Sequence, residues 1–358
     1  MIFVRSTVRE FTAIGIAVFL VLLVITFTTQ LIRLLGSAAG GGIPTDAVLV
    51  LLGFAALGYL SVLLSATLFL SVLLSLTRAY RDSEMVVWQS SGLGLTAWFG
   101  PVLLYAAPIV LLVGLLSLYL TPWALGKTEQ FRHQLENRDD VSAVAPGVFK
   151  ESKNGERVFF VEKVSTDLRQ VANIFVHVSQ DKRSGVIVAK RGYTEVKENG
   201  DRYLVLEDGR RYEGTPGQAD YRVAHFDRYA FRIEQKEATA FFPSQKTFST
   251  RQLIENPTPL NLSELTWRVG LPLSALVLAF LAIPLSAVNP RTGRFFNVLI
   301  AIFVYMTYSN LISIFQAWVA KGTIKPALGM FGVHAVMIVV LFLLLYRRMF
   351  GLRLRWRS

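Results

Sequence analysis

Residues 47–77 read AVLVLLGFAALGYLSVLLSATLFLSVLLSLT, and no charged side chain occurs anywhere between Asp46 and Arg78. An apolar helix needs about 20 residues to cross roughly 30 Å of hydrocarbon. A straight helix over this stretch would be roughly 46 Å long at the α-helical rise per residue, so it must tilt or project beyond the bilayer. The stretch therefore predicts a membrane-spanning helix and an integral membrane protein.

Five further apolar stretches bring the number of predicted spans to six. The spans cover residues 11–35, 47–77, 95–125, 269–288, 295–320 and 326–346. A secretory signal peptide is the alternative for the first, but its apolar run is much longer than the roughly 7–15 residues of such a segment. The third span contains Pro101, Pro108 and Pro122, which membrane helices tolerate where neighbouring groups satisfy the carbonyls that proline frees.

The formal net charge of +12 raises the question of a nucleic-acid partner. Residues 124–262 contain 22 Lys/Arg and 20 Asp/Glu, whereas the rest of the chain contains 15 and 5. The basic excess therefore flanks the apolar stretches, as membrane topology requires, and no nucleic-acid partner is expected. The chain has no cysteine, so it has neither a disulfide framework nor a thiolate metal site.

Basic residues in the short loops predict the orientation. One side would carry eleven arginines, at positions 5, 9, 78, 81, 291, 294, 347, 348, 353, 355 and 357. The other side would carry only Lys321 and Lys325 in its short loops. Because cytoplasmic loops are enriched in Lys and Arg, both termini are expected in the cytoplasm. Three domains follow: spans in 1–123, an external soluble domain in 124–262, and spans with a basic tail in 263–358.

The soluble domain is predicted to be all-β, as a sandwich, jelly roll or open barrel. Short runs typical of strands lie at 158–161, 174–178, 186–188, 203–206 and 229–233. Turn signals occur at 154–155, 199–200 and 208–209. The Asp208-Gly209 pair predicts a hairpin between Leu206 and Tyr212. Residues 124–150 are expected to form a polar helix and linker that lead out of the membrane.

Sequence signatures of catalysis are absent. There is no G-x-x-x-x-G-K-[ST] phosphate loop and no H-E-x-x-H zinc motif. The four histidines lie far apart without metal-ligand spacing, so structural or surface roles are favoured. The chain is therefore not expected to be an enzyme or to bind a cofactor or metal.

Residues 82–91 predict a short helix between the second and third spans. Asp82 or Ser83 can cap its start, Glu84 suits its first turn, and Gly92 can end it. One interpretation is an interfacial helix anchored by Trp88. The other is a coupling helix in which Glu84 offers a charge to an arginine of a cytoplasmic partner, while Met85 and Trp88 fill an apolar groove.

Arg33 is a charged residue near the end of the first predicted span. A long cationic side chain in this position usually reaches out to the lipid headgroups. Arg33 would lie on the external side, however, where the topology gives no reason for positive charge. An anionic ligand is therefore the second interpretation.

Several stretches resemble the LptF/LptG (YjgP/YjgQ) family of lipopolysaccharide export permeases, and its LptF branch in particular. They are residues 2–5 with Arg9 and Glu10, then 30–36, 83–93, 121–124, 211–215, 267–268 and IPLSAVNPRTGR at 283–294. The similarity extends over the whole chain and includes the three-plus-three arrangement of spans around an external β domain.

The resemblance implies a permease that extracts lipopolysaccharide from the bacterial inner membrane and passes it through a periplasmic β-jellyroll. The implied partners are a paralogous LptG-like permease, an LptB-like cytoplasmic ATPase dimer, a single-span LptC-like bridge protein and a periplasmic bridge. The resemblance also implies a coupling helix around Glu84 and a substrate contact at Arg33. Gln30 occupies a neighbouring position at which a relative can carry a basic residue.

Two other functions are weighed against this one. A lipoprotein-exporter permease usually carries its large external domain after the first span, whereas here it follows the third. A membrane-anchored scaffold that binds a periplasmic ligand would need only one or two spans. The six predicted spans therefore favour the export permease.

Overall fold

The computed structural model describes residues 2–40, 43–136, 147, 149–151, 157–164, 170–180, 183–196, 202–214, 220, 222–232, 243–287 and 294–350. It divides into two compact units. One unit comprises Met1–Phe131 with Pro243–Ser358, and the other comprises Arg132–Phe242. They are called here the membrane unit and the β unit.

The membrane unit is helical. Its helices are α1 (Ile2–Ala39), α2 (Ala47–Arg81), α3 (Glu84–Ser90), α4 (Phe99–Leu115), α5 (Thr121–Glu136), α6 (Thr250–Glu255), α7 (Pro259–Leu285), α8 (Arg294–Ala320) and α9 (Pro326–Phe350). The 3₁₀ turn Leu95–Trp98 precedes α4, the π-helical turn Leu116–Leu120 joins α4 to α5, and the 3₁₀ turn Gln245–Thr247 precedes α6.

Six helical stretches of the described residues are long and apolar enough to cross a membrane. They confirm the six predicted spans, and the third runs without interruption from Leu95 to Leu135. This stretch extends past the predicted end of the span because helix α5 continues there. The last three turns of α5 are polar. The predicted polar helix after the span is therefore present as far as Glu136, and residues 137–146 lie outside the described part of the chain.

Helix α7 lies at the centre of the membrane unit and packs against α2, α4, α8 and α9. In the most apolar stretch of α7, two thirds of the residues are buried. In that of α1 only 11% are buried, and its outward side chains suit contact with hydrocarbon. Two pairs of polar side chains in this core are hydrogen-bonded: Tyr308 and His334 share a bond of 2.6 Å, and Ser71 and Tyr105 share one of 3.2 Å. Such pairing lowers the cost of placing polar side chains among apolar ones.

The β unit contains one antiparallel sheet among the described residues. Its strands are β1 (Lys150–Glu151), β2 (Arg157–Val164), β3 (Gln170–Gln180), β4 (Arg183–Val196), β5 (Arg202–Gly214) and β6 (Arg222–Arg232). They lie side by side in chain order, as a meander. The predicted all-β insert is confirmed. That its strands form a jelly roll stays a prediction.

The prediction of a hairpin at Asp208-Gly209 is wrong. Strand β5 continues through both residues. It pairs along its length with β4 on one side and with β6 on the other. Asp208 instead takes a left-handed conformation with φ 53° inside the strand. Long partners on both sides hold the backbone extended, so the local turn preference does not prevail. The other two predicted turns, 154–155 and 199–200, lie outside the described residues.

The backbone of the sheet is irregular at Asp208. Asn173 in β3 also has a positive φ, 52°, and both Asn173 and Asp208 stand opposite Lys190 in the register of the sheet. Lys190 donates a 2.6 Å hydrogen bond to Asp208, and this bond with the lysine charge lowers the pKa of the Asp208 carboxyl.

Beside Lys190 the inward-facing positions of β4 leave strict alternation, because Ala189 and then Gly192, three residues later, face the core. Ile174 and Leu206 are buried together in the core of the sheet. That core contains Val161, Ile174, Val176, Ile187, Ala189, Leu204 and Leu206. Gly192 and Gly209 leave room where the strands approach most closely. An added Cβ at Gly192 would lie 2.6 Å from Ile174 Cδ1, and one at Gly209 would lie 2.6 Å from the Val188 carbonyl oxygen.

Candidate functional site

Helix α3 is held between two backbone turns. Ser83 precedes it with φ 61° and makes no side-chain capping hydrogen bond, so the predicted side-chain cap is not formed. Gly92 follows it with φ 87°. The Leu93 N–H donates to the Trp88 carbonyl and the Gly92 N–H to the Gln89 carbonyl, which is the Schellman arrangement. The predicted helix end at Gly92 is therefore confirmed.

The apolar side chains of α3 divide into an inner and an outer set. Met85 is 1% exposed and belongs to the core of the membrane unit. Trp88 packs on Phe3 of α1, with 5.0 Å between the ring centroids. Val86 and Val87 are each 63% exposed. The sequence hypothesis that Met85 fills a partner's groove is therefore corrected, because its side chain is occupied within its own chain; Val86 and Val87 are the exposed apolar residues.

Arg78 connects three elements beside α3. Its Nε donates to Glu10 of α1 at 2.8 Å, and its Nη2 donates to Glu84 at 3.4 Å. The Glu84 side chain remains 43% exposed. Half-exposed pairs of this kind contribute little to stability, but they restrict where the Glu84 carboxylate can lie. Sequence reasoning missed Glu10 and Arg78, since only the packing of α1 against α2 brings them to Glu84.

Arg33 lies near the end of α1, in the segment where the sequence placed the substrate contact. It is exposed, Gln30 one turn earlier is half-buried, and the neighbouring Leu34 is buried. The Ser37 hydroxyl donates to the Arg33 carbonyl at 3.1 Å. Within the described residues the Arg33 guanidinium forms no ion pair, and so it is available to an anion. The structure does not bring Arg33 together with α3, which is joined to the other end of α2.

The chain is similar to known proteins along most of its length. The family described as "Lipopolysaccharide export system permease LptF/LptG" matches residues 5–347. The lipopolysaccharide export system permease protein LptF of Escherichia coli (strain K12) is 29% identical over 338 residues, which is 94% of this chain and 92% of the relative. LptF of Shigella flexneri has the same identity and coverage.

These similarities extend across both units and all six spans. The stretch 283–294 that carried much of the resemblance is described only in part, because residues 288–293 lie outside the described part of the chain. The family match nonetheless includes nearly the whole sequence, with the helices before and after the β unit. The chain belongs to the LptF/LptG family and is a membrane permease of the lipopolysaccharide export system.

Proposed function

We propose that the chain lies in the bacterial inner membrane with both termini in the cytoplasm and residues 124–262 in the periplasm. In this orientation it extracts lipopolysaccharide from the membrane and passes it through a periplasmic β-jellyroll. The uneven distribution of arginine and lysine between the short loops supports the orientation. The family membership supports the substrate.

The energy for extraction would come from a separate subunit. The proposed partners are an LptB-like cytoplasmic ATPase dimer, a paralogous LptG-like permease, an LptC-like bridge protein and a periplasmic bridge. Since the sequence has no phosphate-binding loop, the permease would have to receive the work of ATP hydrolysis through a contact surface.

Helix α3 is the proposed contact surface with the ATPase. The observation that carries this assignment is the pair Val86 and Val87, which remain 63% exposed while Met85 and Trp88 anchor the same helix to the chain. Glu84 lies beside them with its carboxylate restricted by Arg78. An exposed apolar pair next to an oriented charge suits a groove with a basic residue at its edge.

Substitutions on α3 test the coupling function. Val87→Asp and Glu84→Lys should each reduce the ATPase that co-purifies in mild detergent by about tenfold, because each removes an interaction worth about 1–3 kcal/mol in a desolvated interface. Gln89→Ala, on the same exposed helix, is the matched control and should leave the yield unchanged. Membrane insertion should be normal in all three variants.

The same experiment tests the competing interpretation of α3. An interfacial helix would bind lipid through Val86 and Val87, and Val87→Asp would then alter membrane insertion without changing the amount of ATPase recovered. Normal ATPase recovery and normal transport in both Val87→Asp and Glu84→Lys would reject the coupling assignment.

A further inference from the structure

Two prolines of the membrane unit each deprive a backbone carbonyl of its helical donor. Pro122 lacks the N–H that would bond the Leu118 carbonyl, and Pro272 lacks the one that would bond the Arg268 carbonyl. Hydroxyl groups from other segments take these places. Thr250 Oγ1 donates to the Leu118 carbonyl, and Ser117 Oγ donates to the Arg268 carbonyl at 3.0 Å.

The Arg268 side chain extends this network. It is 2% exposed and its Nε donates to Glu264 at 3.0 Å. Its Nη1 donates to Thr250 Oγ1 at 3.0 Å, and its Nη2 donates to the carbonyls of Lys246 and Phe248 at 3.1 and 2.9 Å. Thr250 thus accepts from Arg268 while it donates to Leu118. A buried guanidinium is tolerated when its donors are satisfied in this way.

The segment 243–258 also lies against α5. The Ser244 N–H donates to Glu129 of α5 at 3.3 Å. An added Cβ at Gly126 would lie 3.7 Å from Thr247 Cβ, which is an ordinary van der Waals distance, so the two segments lie side by side here. Helix α5 is the chain connection into the β unit, and segment 243–258 is the connection out of it. Segment 243–258 therefore lies between the two helices, with bonds to Arg268 of α7 on one side and a contact with α5 on the other.

We propose that Arg268 is a positioning residue for lipid transfer. Its side chain holds α5, segment 243–258 and α7 together as one rigid junction. This inference rests on the proposed passage of lipopolysaccharide from the membrane unit to the β unit. The lipid must then cross the level at which both chain connections leave the helices. A planar guanidinium can serve the Glu264 carboxylate, the Thr250 hydroxyl and two carbonyls together, because its five N–H donors are spread over three nitrogens, whereas a lysine ammonium has three donors on one nitrogen.

The first test is the substitution Arg268→Lys in membranes where the variant replaces the native chain beside its export partners. A photoreactive benzoylphenylalanine at Ile32 reports lipopolysaccharide at α1, and one at Phe226 or Val188 reports it on either face of the sheet. Arg268→Lys should lower crosslinking in the β unit by about tenfold, the effect of losing one charge-assisted hydrogen bond. Crosslinking at Ile32 and ATP hydrolysis should stay near their native values.

A disulfide provides a rescue that a purely destabilising variant would not show. The pair Gly126→Cys and Thr247→Cys places two Cβ atoms 3.7 Å apart, within the range that disulfides require. The native chain has no cysteine to interfere. Oxidation should restore crosslinking in the β unit to Arg268→Lys, and reduction should return it to the lowered level. In the otherwise native chain the oxidised pair should transport normally.

Each outcome bears on one proposal. Native crosslinking at Phe226 and Val188 in Arg268→Lys, or a transport block in the oxidised native chain, would overturn the rigid junction. If Arg268→Lys fails to assemble, Thr250→Val and Ser117→Ala take its place, because each removes a single hydroxyl. Both should show the same rescuable loss of crosslinking in milder form. Full transport in both variants would equally overturn the rigid junction. Absence of crosslinking at Ile32 in the native chain would instead refute the proposed substrate.

Discussion

At the scale of single residues, exposure and pairing separate functional charges from structural ones. Arg268 is buried and fully engaged, Arg78 is half-exposed and held by Glu10, and Arg33 is exposed with no ion pair among the described residues. An unpaired guanidinium near the end of a membrane helix suits a phosphate, which it can bind in a bidentate manner. Arg33 is therefore the residue at which substrate charge should matter most.

The substitution Arg33→Glu should reduce lipopolysaccharide crosslinking at Ile32 by about tenfold or more, since it replaces a charge-assisted hydrogen bond by repulsion. Arg33→Lys keeps the charge without the bidentate geometry and should lose much less. ATP hydrolysis and assembly serve as controls, and both should survive the two changes. Equal crosslinking in native protein and Arg33→Glu would mean that Arg33 only reaches to the headgroups.

At the scale of elements, the packing of the sheet leaves little space for a side chain at two glycines. An added Cβ at Gly192 would meet the flexible ends of Ile174 and Leu206 first, with the Val205 carbonyl oxygen at 3.1 Å. One at Gly209 would meet Phe226 and, at 2.6 Å, the Val188 carbonyl oxygen. Side-chain ends can move aside, but a backbone carbonyl of a paired strand cannot move without loss of its hydrogen bonds. The two positions should therefore tolerate an added methyl group unequally.

We expect Gly209→Ala to destabilise the β unit by about 3 kcal/mol and Gly192→Ala by about 1 kcal/mol, the limits usual for overpacking. Limited proteolysis of the full-length protein in detergent, with fragments assigned to the β unit, measures the difference. Gly94→Ala is the control, because no atom lies within 4 Å of a Cβ built there. Ile174→Val should partly rescue Gly192→Ala. Equal protease resistance of all these variants would contradict the packing argument.

At the scale of the whole molecule, six spans and one β unit follow each other in a three-plus-three order along the chain. An even number of spans places both termini on one side of a membrane. In the proposed orientation, the arginines in the short loops lie in the cytoplasm, and the β unit lies in the periplasm together with residues 124–262.

Single cysteines in the cysteine-free chain test this orientation. An impermeant thiol reagent should label Val223→Cys and Asn199→Cys in cells with a permeabilised outer membrane, and should leave Ser90→Cys unlabelled. Ser90→Cys should become reactive once the inner membrane is opened, which shows that the residue is accessible. The reverse pattern of labelling would refute the proposed orientation.

The sequence by itself determined the spans, the all-β insert and the helix that ends at Gly92. These features depend on short-range properties: a membrane helix satisfies its own backbone, a run of apolar residues sets its length, and a glycine permits the positive φ of a helix stop. The family could also be identified, because its stretches are distributed along the whole chain. Each of these inferences needed only neighbouring residues or their order.

Only the tertiary structure decided which side chains of α3 are exposed, what Arg268 binds, and how β5 continues through Asp208-Gly209. Met85 is buried because α3 packs against the rest of the membrane unit, and Trp88 is covered by Phe3, which lies far away in the sequence. Arg268 collects acceptors from segment 243–258, and β5 is kept extended by β4 and β6. The identity of a distant partner is not encoded in local periodicity, and burial energies and hydrogen bonds between distant segments override local preferences.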